Sequence, residues 1–190
     1  VNAYNTLANE GVKIKPYLIS KVTDMDGNVL YEHKKKKETV LNKSLVYILN
    51  ELLTNSYSRE FIDYNYPTCM EIAAKLTKKY AIKTGTTDTD SLIFGYNKDL
   101  LVGMWTGYDN NQALSVKSGS KNKKAWADMM ENVLKDNKES WYKTPDNVVG
   151  VLVEPKTGLL ATNESEHKQL IYYLKGTEPS ITNPNLDTLI

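Results

Sequence analysis

Between residues 79 and 109 the chain offers three apolar, strand-like runs in quick succession: "KYAIKTGT", "SLIFGYN" and "LLVGMWTGYD". Only Asn97-Lys98-Asp99 separates the last two. A parallel pair would need a crossover of about a dozen residues or more, so these two form an antiparallel hairpin. Side chains alternate along a strand. In the third run Leu101, Gly103, Trp105 and Gly107 therefore share one face, and Val102, Met104, Thr106 and Tyr108 the other. Both faces carry apolar bulk, which predicts helices on both sides of the sheet. The two glycines beside Trp105 predict close approach of another element.

Segments that can supply those helices flank the strands. Residues 1–10 read as the last turns of a helix, with Val1, Tyr4, Leu7 and Ala8 on one face. Gly11 stands at its C-terminal cap. "NKSLVYILNELLTNS" is amphipathic, with Leu45, Ile48, Leu49, Leu52 and Leu53 inward. Residues 55–67 are polar and tyrosine-rich, a loop. "TCMEIAAKL" predicts a short helix capped by Thr68. "GSKNKKAWADMMENVLKD" predicts another, with Ala125, Trp126, Met129, Met130 and Val133 toward the core. "KIKPYLISKVTD" reads as a strand, and Asp26-Gly27 as a hairpin turn. "NVVGVLVEPKTGLLAT" reads as strand, turn and strand. The expectation is an α+β fold, an antiparallel sheet covered by helices, over residues 1–175. Residues 176–190 lose periodicity and read as a tail or linker.

Composition removes several classes of function. Twenty-four basic residues meet 23 acidic ones, and Arg59 is the only arginine. A nucleic-acid binder would show a basic excess, so none is expected. Lys34 to Lys37 is a solvated loop. Cys69 is the only cysteine, which forbids an internal disulfide and reads as a small core residue. One cysteine and two distant histidines make no zinc site. Asp24 and Asp26 hint at a calcium loop, but Val29 and Lys35 stand where such a loop needs Gly and Glu. No metal and no cofactor is expected. No run reaches the ~18 apolar residues of a membrane span. The opening "VNAYNTLANEG" suggests a fragment of something longer.

Lys-Thr-Gly occurs twice, at 83–85 and 156–158. The second copy follows Pro155, and Pro-x-x-Gly is turn chemistry. The first ends an apolar strand and is followed by two more hydroxyls, Thr86 and Thr87. An ammonium at Lys83 beside the hydroxyls of Thr84, Thr86 and Thr87 suits a carboxylate. Gly85 lets a ligand approach backbone N–H groups that can stabilise an oxyanion. On a strand, Lys83, Gly85 and Thr87 point one way and Thr84 and Thr86 the other, so twist or a kink at Gly85 is expected to gather them.

These residues resemble the third signature of penicillin-binding proteins and serine β-lactamases. "AIKTGTT", a short acidic connector and "FGYNKDLLVGMWTGYDNN" resemble the third to fifth strands of a penicillin-binding protein transpeptidase domain. "AYNTLANEGVKIKPYLISKVTDMDGNVLYE", "KAWADMM", "EPKTGLLAT" and "YYLKGTEPS" resemble segments of its class A, bifunctional members, so the likeness runs to about residue 179. The resemblance implies a DD-transpeptidase that cross-links peptidoglycan stem peptides through an acyl-serine and is acylated by β-lactams. It implies that Lys83 anchors the substrate carboxylate and assists proton relay. The Thr84 and Thr86 hydroxyls would bind that carboxylate, and the Thr86 N–H would form half of the oxyanion hole. It also implies the extracytoplasmic face of a bacterial membrane, with a glycosyltransferase domain and membrane anchor upstream.

The family order is Ser-x-x-Lys, Ser-x-Asn, Lys-Thr-Gly, and nothing before Lys83 matches the first two. Ser-x-x-Lys occurs only after it, from Ser118, Ser120, Ser140 and Ser165, and Ser120-Lys121-Asn122 mimics Ser-x-Asn. These stand in the wrong order, and none is expected to open a buried helix. The nucleophile is therefore expected upstream of these residues, leaving this chain inactive alone. Leu92 stands where the family often has Trp. Two other readings compete. A β-lactamase-like hydrolase is disfavoured by "GTEP" and "GYDN". A non-catalytic wall-binding or interaction module has little need of Lys83 with three threonines.

Overall fold

The computed structural model describes residues 1–61, 65–115, 117–138 and 140–182. The strand-rich centre folds as its spacing dictates. Strands β5 (Ala81–Thr86), β6 (Asp90–Tyr96) and β7 (Leu101–Gly107) form one antiparallel sheet in the order β5-β6-β7. Registers run unbroken from Ala81↔Tyr96 to Thr86↔Ser91 and from Asp90↔Gly107 to Tyr96↔Leu101. The Asn97 side chain builds the β6–β7 turn by accepting from the N–H groups of Asp99 and Leu100 at 2.9 and 3.1 Å.

Helix α4 (Ser118–Val133) covers one face of this sheet. Its inner stripe is Asn122, Trp126, Ala127 and Met130, continuing to Leu134, while Met129 and Val133 are exposed. Ala125 is exposed too, so only Trp126 and Met130 of the expected inward set are buried. The offset has a steric cause. Gly95 opens a slot for the indole, and a Cβ there would lie 2.0 Å from Trp126 Cζ2. Asn122 then closes on β6, donating to Ser91 O at 2.9 Å. With Trp126 seated, residues at 4-residue spacing from it must follow. Trp126, Tyr80, Ile82, Ile93, Met130, Ile72 and Cys69 make the main core. Truncating an indole this buried costs about 3–5 kcal/mol.

The opposite face receives α1 (Asn2–Ala8) and α2 (Lys43–Thr54). Tyr4 of α1 stacks on Phe94 with ring centroids 4.6 Å apart, whereas Val1 is exposed. Helix α1 ends two residues earlier than expected, at Ala8. Glu10 takes the left-handed angle (φ 55°), and the N–H groups of Glu10 and Gly11 close on Leu7 O and Thr6 O. Gly11 follows with its own positive φ, pressed against Leu41.

Helix α2 corrects the expected orientation. Asn42 caps it, accepting from Ser44 N and Leu45 N. Its buried face is Ser44, Val46, Tyr47, Asn50 and Glu51, while Leu45, Leu49 and Leu52 are exposed. Polar groups won the inner face because each has a partner there. Tyr96 donates to Asn50 at 2.7 Å, and Glu51 accepts from Lys79 and the Trp141 indole at 2.5 and 2.6 Å. Removing one partner of such a buried pair is far more costly than leaving a leucine wet.

Residues 12–39 also depart from a single long strand. They form β1 (Val12–Ile14), β2 (Lys21–Thr23), β3 (Val29–Glu32) and β4 (Lys37–Thr39). β1 pairs with β4 and β2 with β3. Pro16, which has no N–H to donate, lies in the break. Lys37 of the expected loop joins β4, and Lys34 to Lys36 are exposed. Asp24 is consumed by the Asp26-Gly27 turn, accepting from the N–H groups of Asp26 and Asn28. Residues 55–61 hold two short 3-10 turns rather than plain loop, and 62–64 of that segment lie outside the described residues. Helix α3 is only Met70–Ala73, with Cys69 rather than Thr68 at its N-cap. Strands β8 (Val148–Val153) and β9 (Gln169–Leu174) form a separate hairpin that leans on α2 through Tyr47 and Tyr172. Of residues 176–190, Ile181 and Thr182 bridge to Leu160, and 183–190 lie outside the described residues. Among the described residues no helix is long and apolar enough to cross a membrane.

Candidate functional site

Strand β5 is an edge, and its hydrogen-bond phase decides what the edge presents. Thr87 N donates to Asp90 O at 2.9 Å. Antiparallel partners alternate between bonded and non-bonded pairs. Given the register, Lys83 and Gly85 bond inward to β6, and the N–H and C=O groups of Thr84 and Thr86 point to the free edge. Tyr57 fixes where that edge begins. Its hydroxyl accepts from Tyr80 N and donates to Tyr80 O, both at 3.1 Å. Burial pushes this hydroxyl up to about 12, so it remains a donor at physiological pH.

Side chains reach the same edge from both faces. Lys83 and Gly85 lie on the face of α1 and α2, beside Phe94, Leu92 and Trp105. Thr84 and Thr86 lie on the α4 face, in a groove of about 390 Å³ walled by Pro67, Thr68, Glu71 and Lys123. No kink at Gly85 is needed, because the register is continuous. The Lys83 ammonium folds over the edge and donates to Thr84 O at 2.6 Å. The strand thus collects an ammonium, two hydroxyls and two outward N–H groups along one rim, groups whose chemistry can hold an anion.

Thr87 stands apart from this rim. Its hydroxyl donates to Asp90 and accepts from the N–H groups of Thr89 and Asp90, closing the β5–β6 turn. Asp90 also accepts from the Trp105 indole at 2.8 Å. That indole N–H, with the Thr89 and Thr87 hydroxyls, holds the Asp90 carboxyl below the usual carboxylate range. Sequence reasoning missed this clasp, although Gly107 signals it: a Cβ there would lie 2.4 Å from the Trp105 ring. Gly103 likewise admits the Phe94 ring, so both glycines accommodate rings of the sheet itself rather than another element. Leu92 sits between Gly85 and Trp105.

Sequence reasoning also missed Glu71 and Lys123, on α3 and α4, paired at 2.7 Å across the groove wall. Burial raises the Glu71 carboxyl, and hydrogen bonds from Lys123 and Ser120 outweigh it, so the net direction is down. The Cys69 thiol beneath is buried, which raises it and leaves it inert.

Three of the four late Ser-x-x-Lys matches, those from Ser118, Ser120 and Ser165, are otherwise engaged. Ser118 does open α4, contrary to expectation, but α4 lies on the face opposite Lys83 and the Ser118 hydroxyl meets Ser115 at 3.0 Å. Ser120 donates to Glu71, and Asn122 is buried against Ser91. Ser165 donates to Glu154 at 2.5 Å.

The profile described as "Penicillin binding protein transpeptidase domain" matches residues 1–125. The chain belongs to the penicillin-binding protein transpeptidase family. A second profile, "Penicillin-binding protein 1A, C-terminal domain", matches residues 144–185, the segment that holds β8 and β9. Penicillin-binding protein 2D of Bacillus subtilis is 41% identical over 181 residues, which cover 95% of this chain and 26% of that protein. Penicillin-binding protein 1A of Aquifex aeolicus is 31% identical, over 99% of this chain and 25% of that protein. The chain therefore spans about a quarter of the length of these relatives. The crystal structure of penicillin-binding protein 1A from Haemophilus influenzae superposes with a TM-score of 0.83 at 24% identity, covering 96% of this chain and 32% of that one. That likeness establishes the penicillin-binding protein transpeptidase fold for the arrangement described above.

Proposed function

We propose that this chain is the Lys-Thr-Gly-bearing part of a peptidoglycan DD-transpeptidase that cross-links stem peptides through an acyl-serine. The observation that carries the reading is the β5 edge, where Lys83 and the outward N–H groups of Thr84 and Thr86 share one rim. In this reading Lys83 anchors the terminal carboxylate of the stem peptide and assists proton relay. The Thr84 and Thr86 hydroxyls hold that carboxylate, and Gly85 keeps the backbone approachable. The Thr86 N–H supplies half of the oxyanion hole. Thr87 contributes by closing the turn that holds Thr86 in place.

The serine, its lysine and the Ser-x-Asn motif belong to polypeptide outside these residues, as do a glycosyltransferase domain and a membrane anchor at the extracytoplasmic face. The span of only a quarter of the relatives supports this. Peptidoglycan stem peptides and β-lactams are then the ligands, and the 190 residues alone are inert. Fluorescent-penicillin labelling, read on a denaturing gel with intact masses, tests the reading. Label on the polypeptide as its gene encodes it, with none on the 190-residue chain alone, is the expected result. Label on the short chain would overturn the placement of the nucleophile. No label on either would favour a wall-binding module.

A further inference from the structure

The groove on the α4 face of β5 holds hydrogen-bond donors that the protein itself does not use. Thr84 and Thr86 line it, with Glu71 and Lys123 on its wall. Neither threonine hydroxyl has a protein partner among the described residues. Lys123 is placed rigidly beside them. Its neighbours on α4 bond to the sheet, Asn122 to Ser91 O at 2.9 Å and the Trp126 indole to Val102 O at 3.1 Å. An ammonium carries three protons. Two of those on Lys123 are taken, by Thr68 O and by Glu71, each at 2.7 Å. The third has no protein acceptor among the described residues. Only 20% of the side chain is exposed, so its charge is less screened than that of an open surface lysine. Glu71 is the one acid among the described lining residues, and α4 engages both of its oxygens, through Lys123 and Ser120.

We propose that Lys123 is a second cation of the carboxylate receptor, giving its remaining N–H to the carboxylate that the Thr84 and Thr86 hydroxyls hold. The proposal rests on the transpeptidase reading above and adds a specificity-determining residue to the same site. Lys83 serves that anion from one face of the sheet and Lys123 from the other. Two ammoniums and two hydroxyls favour a ligand with a free carboxylate over one whose carboxylate is masked. Glu71 tempers the effect, because its charge partly cancels that of Lys123. The contacts to Thr68 and Glu71 also staple α4 to the groove wall. A staple alone makes a different forecast: losing either partner of the ion pair would then loosen the wall and weaken every ligand alike.

The test uses the polypeptide as its gene encodes it and two probes, benzylpenicillin and its methyl ester, which lacks the anionic carboxylate. Stopped-flow competition with a fluorescent penicillin gives the Kd of the initial complex apart from the acylation step. Lys123→Met should weaken the benzylpenicillin complex about tenfold, the worth of a hydrogen bond between charged groups. It should change the ester complex by less than about twofold. Lys123→Arg, which keeps the charge, should recover benzylpenicillin binding to within about threefold. Glu71→Gln removes the opposing charge and should tighten that binding about twofold or more. Lys98→Met, in the exposed β6–β7 turn, controls for the loss of one positive charge and should match the unaltered protein. Equal losses for acid and ester, or weakening by Lys123→Met and Glu71→Gln together, would overturn the proposal and leave Lys123 a staple. A Lys123→Met protein that binds benzylpenicillin normally would overturn it too. Should Lys123→Met fail to fold, the sign of the Glu71→Gln effect decides alone: tightening supports the proposal and weakening overturns it. If the unaltered polypeptide takes no penicillin label, the transpeptidase reading falls and this proposal with it. A labelled polypeptide with any of the contrary results loses only this proposal.

Discussion

The same tripeptide occupies two backbone states in this molecule. Lys83-Thr84-Gly85 is extended on an edge strand, with every second peptide facing outward. Lys156-Thr157-Gly158 is a tight turn: Gly158 takes φ +70°, its N–H closes on Glu154 O at 2.8 Å, and the Thr157 hydroxyl reaches Glu154 at 3.3 Å. In the turn the peptide groups fold back on their own segment. On the edge the N–H and C=O groups of Thr84 and Thr86 point away from β6. The three side chains are the same in both copies, so the backbone is what distinguishes them.

Substituting each lysine should break the symmetry most sharply. In the full polypeptide Lys83→Ala should slow acylation by a fluorescent penicillin about a hundredfold or more. Lys156→Ala should stay within about twofold, as exposed turn positions do. Comparable losses at both would show that the edge has no special role.

The threonines should differ next. Thr86→Ala removes one hydroxyl from the carboxylate receptor and should slow acylation about tenfold, the worth of one hydrogen bond to a charged group. Thr157→Ala should leave the rate unchanged. Stopped-flow acylation at matched penicillin concentration checks both.

The glycines should reverse the order, with stability rather than rate as the readout. Gly158→Ala forces a side chain into positive φ and should cost about 1 kcal/mol in denaturant unfolding. At Gly85 a Cβ meets only Leu92 Cβ at 3.8 Å, so Gly85→Ala should stay within about 0.5 kcal/mol. Its effect should fall on acylation.

The smallest effect is the pH response of the clasp behind β5. Asp90 is held below the usual carboxylate range by Trp105, Thr89 and Thr87. A depressed carboxyl stabilises the fold above its unfolded value, and the contribution is lost as pH falls through the folded one. Amide exchange at Thr87 and Asp90 should therefore be slow at neutral pH and speed up below the ordinary carboxylate range, beyond the intrinsic trend. Asp90→Asn should show the fast behaviour at every pH.

Much of this fold was legible in the sequence, and the misses share a cause. The β6–β7 hairpin was readable because Asn97-Lys98-Asp99 is local turn chemistry. The edge strand was readable because Lys83 ends an apolar run. Periodicity failed on α2, since it counts leucines and cannot see that Asn50, Glu51 and Tyr47 have buried partners on Tyr96, Lys79, Trp141 and Thr144. It failed by one residue on α4, because the slot at Gly95 and not the apolar count sets the register of Trp126. The Asp90–Trp105 clasp and the Glu71–Lys123 pair join distant positions, and no local pattern announces them. Of the leucines that periodicity placed inward on α2, Leu45, Leu49 and Leu52 are exposed and Leu53 is half-buried.

The most direct test of the account follows amide exchange along both tripeptides in the full polypeptide, before and after acylation by a β-lactam. The account predicts slower exchange at Thr84 and Thr86, whose N–H groups face the open edge, and no change at Thr157 and Gly158. Unchanged exchange at Thr84 and Thr86, or an equal change at both copies, would contradict it.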